Sequence, residues 1–266
     1  MNAALGPALL FCPADRPDRY EKALDAADTV ILDLEDAVAP DRKDEARAAL
    51  AASALPPERT VVRVNPVAAG MLEADLAAVD AAGYRILMLA KAESATDLTA
   101  LARYDVIALC ETPAGVLTAP QLAAAPNVIG LMWGAEDLVA ALGGRSSRAA
   151  DGRYRDVARA ARSAVLLACG AAGKAAFDAV HLDFRDDAGL AAEAEDAAAS
   201  GFAGTVCIHP RQVPIVRAAF RPTDDEVAWA RRIVEAAAAG GVVAVDGRMV
   251  DEPLLRQARQ VLAAAE

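Results

Sequence analysis

Aromatic and basic residues are scarce in this sequence. Phe, Trp and Tyr make up 4% of its 266 residues, and the formal net charge is -11. Nonspecific nucleic-acid binding depends on clustered Lys and Arg, and the sequence has no basic block of that kind, so we expect no nucleic-acid partner. Hydrophobic residues make up 55% of the chain, which is enough for the core of one large globular domain or two small ones.

Cysteines are also few, and long apolar runs are missing. The four cysteines are scattered without CxxC spacing: Cys12, Cys110, Cys169 and Cys207. Buried thiols are therefore expected rather than disulfides or a zinc site. No apolar stretch reaches the roughly 20 residues of a membrane span, and residues 1–17 lack the pattern of a signal peptide. We expect a soluble, cytoplasmic protein with no membrane contact.

Eight short β-rich runs recur along the chain, with 20 to 48 residues from the start of one run to the start of the next. They cover residues 8–12, 29–34, 60–64, 85–89, 105–110, 128–133, 176–183 and 204–209. Alanine-rich segments with helical spacing lie between them, as at 41–52 and 71–82, and this alternation is typical of a parallel sheet. Eight units in about 220 residues predict an α/β fold of the TIM (β/α)8 barrel type rather than an open doubly wound sheet.

The predicted barrel spans residues 1–221. Residues 222–266 exceed what a barrel needs, with a helical segment at 224–239, a possible turn at Asp246-Gly247 and a final helix from Pro253. We expect this C-terminal helical and hairpin extension to belong to the same domain and to serve as a lid or an oligomer contact.

Polar residues follow the apolar runs, at the strand ends where a TIM barrel builds its active site. They are Asp33, Glu35, Asp36, Arg63, Asn65, Lys91, Glu93, Glu111, Glu136, Asp137, Asp183 and His209. Because carboxylates at close range raise one another's pKa values, so many acids at one mouth indicate a bound cation. Oxygen ligands without a Cys/His cluster favour Mg²⁺ or Mn²⁺ over zinc. We choose Glu111 and Asp137 as the ligands.

The other polar residues have structural alternatives. Ion pairing with Arg and Lys across the mouth explains Asp33, Glu35 and Asp36 at least as well as a functional role. Glu35 and Asp36 are also candidates for groups that lie behind the metal ligands and orient them. Arg63 stands in an otherwise apolar strand, where a guanidinium suits a carboxylate or enolate oxygen. We therefore predict a functional role for Arg63.

Lysine and histidine chemistry is a minority interpretation. Lys91 as a Schiff-base nucleophile is an alternative, but the surrounding carboxylates would raise its pKa rather than lower it. His209 precedes a proline that begins a helix, so a structural hydrogen-bonding role is expected. His181 lies inside an apolar run and is expected in the core.

Eight segments together resemble a known family. They are LFCPADRPDRYEKAL, VILDLEDAVAPDRKDEAR, VVRVNP, MLAKAES, ALCETPAGV, WGAEDLVAALGGRSSR, VHLDFRDDAGL and CIHPRQV. These segments resemble the HpcH/HpaI aldolase and citrate lyase β-subunit superfamily, in its stand-alone citrate-lyase-β-like branch, over nearly the whole chain. The resemblance implies a TIM barrel, usually assembled as a homotrimer.

The resemblance also implies roles for individual residues. Glu111 and Asp137 would bind Mg²⁺, and Arg63 would contact the substrate's carboxylate or the enolate oxygen. Asp251, in the segment GRMVDEP, would act as general acid and base and reach the site of a neighbouring subunit.

Residues at the start of the barrel would contact coenzyme A. Lys22 corresponds to a family lysine after the first loop, and Phe11 to an aromatic residue beside the adenine or pantetheine. The sequence departs from the family pattern in the first loop, PADRP, where many relatives have a glycine after the proline, and at Ala90, where a proline is usual. Both departures bear on the shape of the coenzyme A channel.

The implied reaction is Mg²⁺-dependent cleavage or formation of a carbon–carbon bond. The substrate would be a 3-hydroxyacyl-CoA thioester of the malyl-, citramalyl- or citryl-CoA type, and the products acetyl-CoA and an oxo acid. Three alternatives stay open: a malyl-CoA-type thioesterase, a citrate lyase β-subunit acting on an acyl-carrier protein, and a non-catalytic binding protein. The intact set of Arg63, Glu111, Asp137 and Asp251 argues against the last.

Overall fold

Eight parallel strands close into a barrel, with each strand paired to the next and β8 paired to β1. The strands are β1 Ala8–Pro13, β2 Thr29–Asp33, β3 Thr60–Val64, β4 Ile86–Leu89, β5 Asp105–Cys110, β6 Val128–Trp133, β7 Ala175–Asp178 and β8 Gly204–Cys207. The computed structural model describes residues 5–238, 244–245 and 248–265, the last range without the side chain of Arg248. The prediction of a TIM barrel is confirmed.

Helices follow most of the strands. They are α1 Tyr20–Ala26, α2 Lys43–Ala51, α3 Leu72–Ala82, α4 Pro113–Ala123, α5 Ala135–Ala141, α6 Asp156–Ala172, α7 Asp187–Ser200 and α8 Val213–Phe220. Between β4 and β5 the chain makes a short 3-10 helix, Thr99–Leu101, in place of an α-helix. The eight predicted strand–helix units are therefore present with one shortened connection.

Local sequence explains where the helices begin and end. Thr112 caps α4, since its side chain accepts a hydrogen bond from the backbone N–H of Gly115 at 3.0 Å, and Pro113 suits the first helical position. Helix α3 ends at Gly83, whose φ of 78° lies in the left-handed region that glycine adopts without a steric penalty.

Large apolar side chains fill the interior of the barrel. One cluster contains residues from all eight strands, including Leu9, Ile31, Val61, Met88 and Phe177. The interior is thus a packed core, and polar side chains are left to the strand ends, as expected for this fold.

Strands β7 and β8 are shorter than the sequence suggests. The run 176–183 predicts a strand, but β7 ends at Asp178. His181 is buried as expected, yet it lies in the following loop, where its carbonyl oxygen accepts a hydrogen bond from Gln212 Nε2 at 2.8 Å and its Nδ1 is 2.8 Å from Glu193 Oε2 of α7. At β8, Ile208 leaves the ladder because its backbone N–H donates to Gln212 Oε1 at 2.8 Å. Side-chain hydrogen bonds replace the ladder at both ends.

The chain divides into two compact units, the first ending at Val216 and the second beginning at Arg217. The second contains α9 Asp224–Ala238, a two-stranded antiparallel pair of β9 Ala244–Val245 with β10 Arg248–Met249, and α10 Glu252–Ala265. Ala230, Ile233 and Ala258 form its small core. Ala239 and the predicted turn at Asp246-Gly247 lie outside the described residues. Assignment of this segment to the same domain as the barrel stays a prediction.

None of the described helices is long and apolar enough to cross a membrane. All four cysteines are buried, which agrees with the expectation of buried thiols.

Replacing a barrel-interior leucine is expected to destabilise the fold strongly. Leu9→Ala removes a fully buried side chain and should lower the free energy of unfolding by about 2–5 kcal/mol through lost burial and an internal cavity. Leu117→Ala, at a side chain that is 81% exposed, is the matched control, with an effect within about 0.5 kcal/mol. Urea denaturation measures both, and equal losses would contradict the assignment of Leu9 to the core.

Candidate active site

A buried arginine–aspartate pair lies at the ends of β2 and β3. Asp33 and Arg63 are register partners on neighbouring strands. Arg63 donates from Nε to Asp33 Oδ1 at 2.7 Å and from Nη2 to Asp33 Oδ2 at 2.6 Å. Asp33 also accepts hydrogen bonds from the backbone N–H groups of Glu35 and Ala37. A bidentate pair of this kind fixes the plane and direction of the guanidinium.

Two further contacts hold Arg63. Its Nη1 is 3.2 Å from Glu35 Oε2, and the guanidinium carbon is 4.5 Å from the centroid of the Phe11 ring. Burial alone would lower the pKa of Arg63, but the hydrogen bonds and charge of Asp33 raise it above its ordinary value. Arg63 is therefore a permanent cation at the barrel mouth, and Phe11 is its stacking partner.

Lys43 supports this region from below, although the sequence analysis did not single it out. Its Nζ donates to the carbonyl oxygens of Leu34 and Glu35 at 2.6 and 2.7 Å and to Asn65 Oδ1 at 3.0 Å. Burial lowers the pKa of Lys43. Lys43 shares the buried face of α2 with Ala46 and Leu50, and this helical spacing is the signal that could have found it.

Glu111 follows β5 directly and is buried. Burial first, and then the negative charge of Asp137, raise the pKa of Glu111 to about 8, while Lys91 and Arg63 act in the opposite direction. Gly134 gives this carboxylate its room, because a Cβ atom at that position would lie 2.8 Å from Glu111 Cβ and 3.0 Å from its Oε2. A buried acid with a like charge beside it favours a cation as its partner.

Lys91 connects the acids of the mouth. Its Nζ hydrogen-bonds Glu35 and lies 3.5 Å from Asp137 Oδ1, 3.6 Å from Asp36 Oδ2 and 4.0 Å from Glu111 Oε1. Burial would lower its pKa, but the hydrogen bond to Glu35 and the nearby carboxylates raise the pKa above its ordinary value. An amine held protonated is a poor nucleophile, so the geometry disfavours the Schiff-base alternative.

The two predicted metal ligands come from different elements and both lie within 4.0 Å of the Lys91 ammonium. Glu111 comes from the end of β5, and Asp137 from the first turn of α5. No group of three or more His, Cys, Asp or Glu side chains suited to a metal ion occurs in the described part of the chain. A pair of carboxylates fits Mg²⁺, which usually takes one or two protein carboxylates and fills its octahedron with water and substrate oxygens. It does not fit a structural zinc site.

The remaining predicted residues lie elsewhere. Lys22 is exposed on α1, and no partner for its side chain is seen within the described residues. Asp251 belongs to the second unit, where its Oδ1 accepts a hydrogen bond from the backbone N–H of Leu254 at 3.0 Å at the start of α10. Asp183 accepts from the backbone N–H of Arg185. The roles predicted for Lys22 and Asp251 stay predictions.

Strands β6 and β7 carry a second polar cluster that sequence reasoning missed. Asp178 accepts from Trp133 Nε1 at 2.5 Å and from Arg162 Nη2 at 2.9 Å. Ser147 Oγ donates to Glu136 Oε1 at 2.5 Å, which gives Glu136 a structural role beside Asp137.

His209 accepts a hydrogen bond from the backbone N–H of Arg211, in agreement with the expected structural role of His209.

Removing the charge of Asp33 is expected to destabilise the protein. Asp33→Asn removes the hydrogen-bonded carboxylate of the buried Arg63 guanidinium and leaves Glu35 and Glu111 to offset its charge, so it should lower the free energy of unfolding by about 3 kcal/mol. The control is Asp18→Asn, which removes a bidentate partner from Arg16 at the exposed surface and should change stability little. If urea denaturation gave the two variants the same stability, the Arg63–Asp33 pair would not anchor the site.

Comparisons with known proteins identify the family to which this chain is similar. The family model described as HpcH/HpaI aldolase/citrate lyase matches residues 8–210. A citrate lyase subunit beta-like protein of Mycobacterium tuberculosis (strain ATCC 25618 / H37Rv) is 55% identical over 260 residues, covering 97% of this chain and 95% of that protein. A (3S)-malyl-CoA thioesterase of Cereibacter sphaeroides (strain ATCC 17029 / ATH 2.4.9) is 36% identical over 276 residues, covering 97% and 94%.

A solved structure is similar over the whole length. The crystal structure of protein CitE from Mycobacterium tuberculosis in complex with magnesium, acetoacetate and coenzyme A superposes with a TM-score of 0.95 at 55% identity, covering 99% of each chain. The family model, the relatives and the closed barrel agree, and the chain belongs to the HpcH/HpaI aldolase/citrate lyase family.

Proposed function

We propose that this chain is a Mg²⁺-dependent carbon–carbon lyase acting on a 3-hydroxyacyl-CoA thioester of the malyl-, citramalyl- or citryl-CoA type. It would cleave the thioester to acetyl-CoA and an oxo acid, or run the reverse reaction. The observation that carries the proposal is the buried carboxylate of Glu111 at the barrel mouth. Glu111 and Asp137 both lie within 4.0 Å of the Lys91 ammonium, and the negative charge of Asp137 raises the pKa of Glu111. The magnesium, acetoacetate and coenzyme A bound by the CitE structure support it.

Glu111 and Asp137 would hold the metal. Bound Mg²⁺ supplies Lewis acidity, which lowers the pKa of a substrate hydroxyl and neutralises charge on an oxo acid. The pair carries two negative charges when ionised, which matches a divalent cation, and the exposed side of Asp137, whose side chain is 39% exposed, leaves access for water and substrate oxygens.

Arg63 would stabilise the charge that develops on the substrate. The pair with Asp33 uses two of the five guanidinium N–H groups, and Nη1 also lies 3.2 Å from Glu35 Oε2. The N–H groups that these two contacts do not engage would donate to a carboxylate or thioester oxygen. A fixed cation aimed at a developing enolate lowers the barrier without reorganising during the reaction. Asp33 and the Phe11 ring keep that cation in place.

In the proposed cleavage, a water molecule at the exposed side of the site accepts the proton of the 3-hydroxyl, and the electrons of that O–H bond form the carbonyl of the oxo acid. The carbon–carbon bond breaks, and its electrons become the thioester enolate. Asp251, as general acid, gives the enolate carbon a proton, which yields acetyl-CoA. We also propose that the protein is a homotrimer, in which Asp251 of one subunit reaches the active site of a neighbouring subunit. Lys22 would contact coenzyme A.

A thioesterase is the second candidate function. The 36% identity to a (3S)-malyl-CoA thioesterase over nearly the whole chain favours it. The same metal pair and Arg63 would then hold a malyl thioester while water attacks the thioester carbonyl. Free coenzyme A without an oxo acid distinguishes this reaction from the lyase. A citrate lyase β-subunit acting on an acyl-carrier protein would be inactive on coenzyme A thioesters without its carrier.

Product analysis tests the proposal. Purified protein with Mg²⁺ is incubated with malyl-CoA, citramalyl-CoA, citryl-CoA and 3-hydroxy-3-methylglutaryl-CoA, and acetyl-CoA, oxo acid and free thiol are measured separately. We expect acetyl-CoA and an oxo acid in equal amounts from at least one substrate, and loss of both with EDTA. Free thiol alone would identify a thioesterase, and the absence of any product from all four substrates would contradict the lyase proposal.

Glu111→Gln tests the metal ligand in the same assay. The variant should lower kcat/KM at least about a hundredfold, because a ligand to the Lewis acid is lost. Glu58→Gln, at an exposed residue outside the site, should retain full activity. Equal activity of the two variants would remove Glu111 from the proposed site.

Magnesium affinity should increase with pH. The pKa of Glu111 is raised to about 8, so below that pH the metal must displace a proton from this carboxyl. The affinity should rise about tenfold per pH unit between pH 6 and 8 and level off above it. Isothermal titration calorimetry of EDTA-stripped protein at pH 6, 7, 8 and 9 measures this, and an affinity independent of pH would contradict the raised pKa.

A further inference from the structure

Lys91 has a feature that ion pairing alone does not explain. Its φ is 49°, and it is the one non-glycine residue with positive φ in the described ranges. This left-handed conformation is unfavourable for a residue with a Cβ atom and tends to occur where the surroundings impose it. A lysine needed only to offset acidic charge could reach the mouth from an ordinary backbone.

The surroundings impose this conformation from both neighbouring strands. The backbone N–H of Ala90 donates to Val64 of β3, and that of Ala92 donates to Leu109 of β5 at 3.1 Å. The backbone N–H of Lys91 itself donates to Glu111 Oε1 at 3.1 Å. Lys91 therefore contacts the Glu111 carboxylate with its main chain and approaches the same carboxylate with its ammonium.

The ammonium lies between two pairs of acids. On one side are the proposed metal ligands, with Asp137 Oδ1 at 3.5 Å and Glu111 Oε1 at 4.0 Å. On the other side are Glu35, which is hydrogen-bonded to Nζ, and Asp36 Oδ2 at 3.6 Å. Two cations this close to one carboxylate pair repel each other, whereas Glu35 and Asp36 offer the ammonium an equivalent partner nearby.

We propose that the Lys91 ammonium competes with Mg²⁺ for Glu111 and Asp137, and that it gives up these two carboxylates when the metal binds while Glu35, its hydrogen-bond partner, and Asp36 retain it. Lys91 is then a positioning residue that sets the metal affinity of the site. Glu35 and Asp36 act as the acceptor for the displaced charge rather than as metal ligands. This inference rests on the proposed function, since it assumes that Glu111 and Asp137 hold Mg²⁺.

The proposed competition predicts the direction in which Mg²⁺ affinity changes when Lys91 is replaced. Removing the positive charge of Lys91 takes away both the competitor and the repulsion toward Mg²⁺, so the metal should bind more tightly. A purely structural Lys91 predicts unchanged or weaker binding, because the loop and Glu111 would lose order. The two interpretations therefore differ in the direction of the effect.

Calorimetric titration of EDTA-stripped protein with Mg²⁺ alone, at pH 9 and low ionic strength, tests the inference. Lys91→Met should bind Mg²⁺ at least about fivefold more tightly than the unchanged protein, and Lys91→Arg, which keeps the charge, should not bind it more tightly. Lys174→Met, outside the site, is the control for loss of a lysine. Unchanged or weaker binding in Lys91→Met overturns the inference.

A second readout covers variants that fold poorly without metal. Mg²⁺ should raise the melting temperature of Lys91→Met more than that of the unchanged protein at the same concentration, because the metal replaces a missing cation. If Lys91→Met does not fold even with Mg²⁺, Lys91→Gln, which keeps a donor for Glu35, is expected to show the same increase. A smaller or equal shift overturns the inference. Absence of Mg²⁺ binding to the unchanged protein would overturn the proposed metal site itself.

Discussion

Repulsion among carboxylates at the mouth of the barrel is the constraint on which this site depends. Strands of a parallel barrel all end on one side, so the acids that follow them converge there. Three cations offset that charge at different depths: Lys43 below the loop after β2, Arg63 within β3, and Lys91 at the centre of the acids. Burial nevertheless opposes the charge of Glu111 and raises its pKa to about 8. A divalent metal at Glu111 would relieve the remaining repulsion.

Much of the fold could be predicted because buried strands have a recognisable sequence pattern. Runs buried on both faces read as continuous apolar segments, and β3, β5 and β6 have the predicted bounds. The ends of β7 and β8 could not be predicted in this way. They depend on side chains distant in sequence, such as Glu193 with His181, that capture the chain as it leaves the sheet.

The site divides in the same manner. Glu111 and Asp137 could be proposed because they follow strands, and Arg63 because a guanidinium is unusual in an otherwise apolar strand. The choice of Asp33 as the partner of Arg63, and the burial of Lys43, depend on strand register and helix orientation, which one sequence does not state. The positive φ of Lys91 could not be predicted from the sequence, because glycine is the residue that usually indicates a positive φ and lysine does not. The role proposed for Asp251 rests on the family resemblance, because Asp251 follows none of the barrel strands.

The most direct test of the central claim is the position of the metal. Crystals of the protein grown with Mn²⁺ and acetoacetate would reveal the ion by its anomalous scattering. We expect one strong peak in direct bonding contact with the carboxylates of Glu111 and Asp137, with the Lys91 ammonium turned toward Glu35 and Asp36. A peak bound elsewhere, or no peak at this pair of carboxylates, would contradict it.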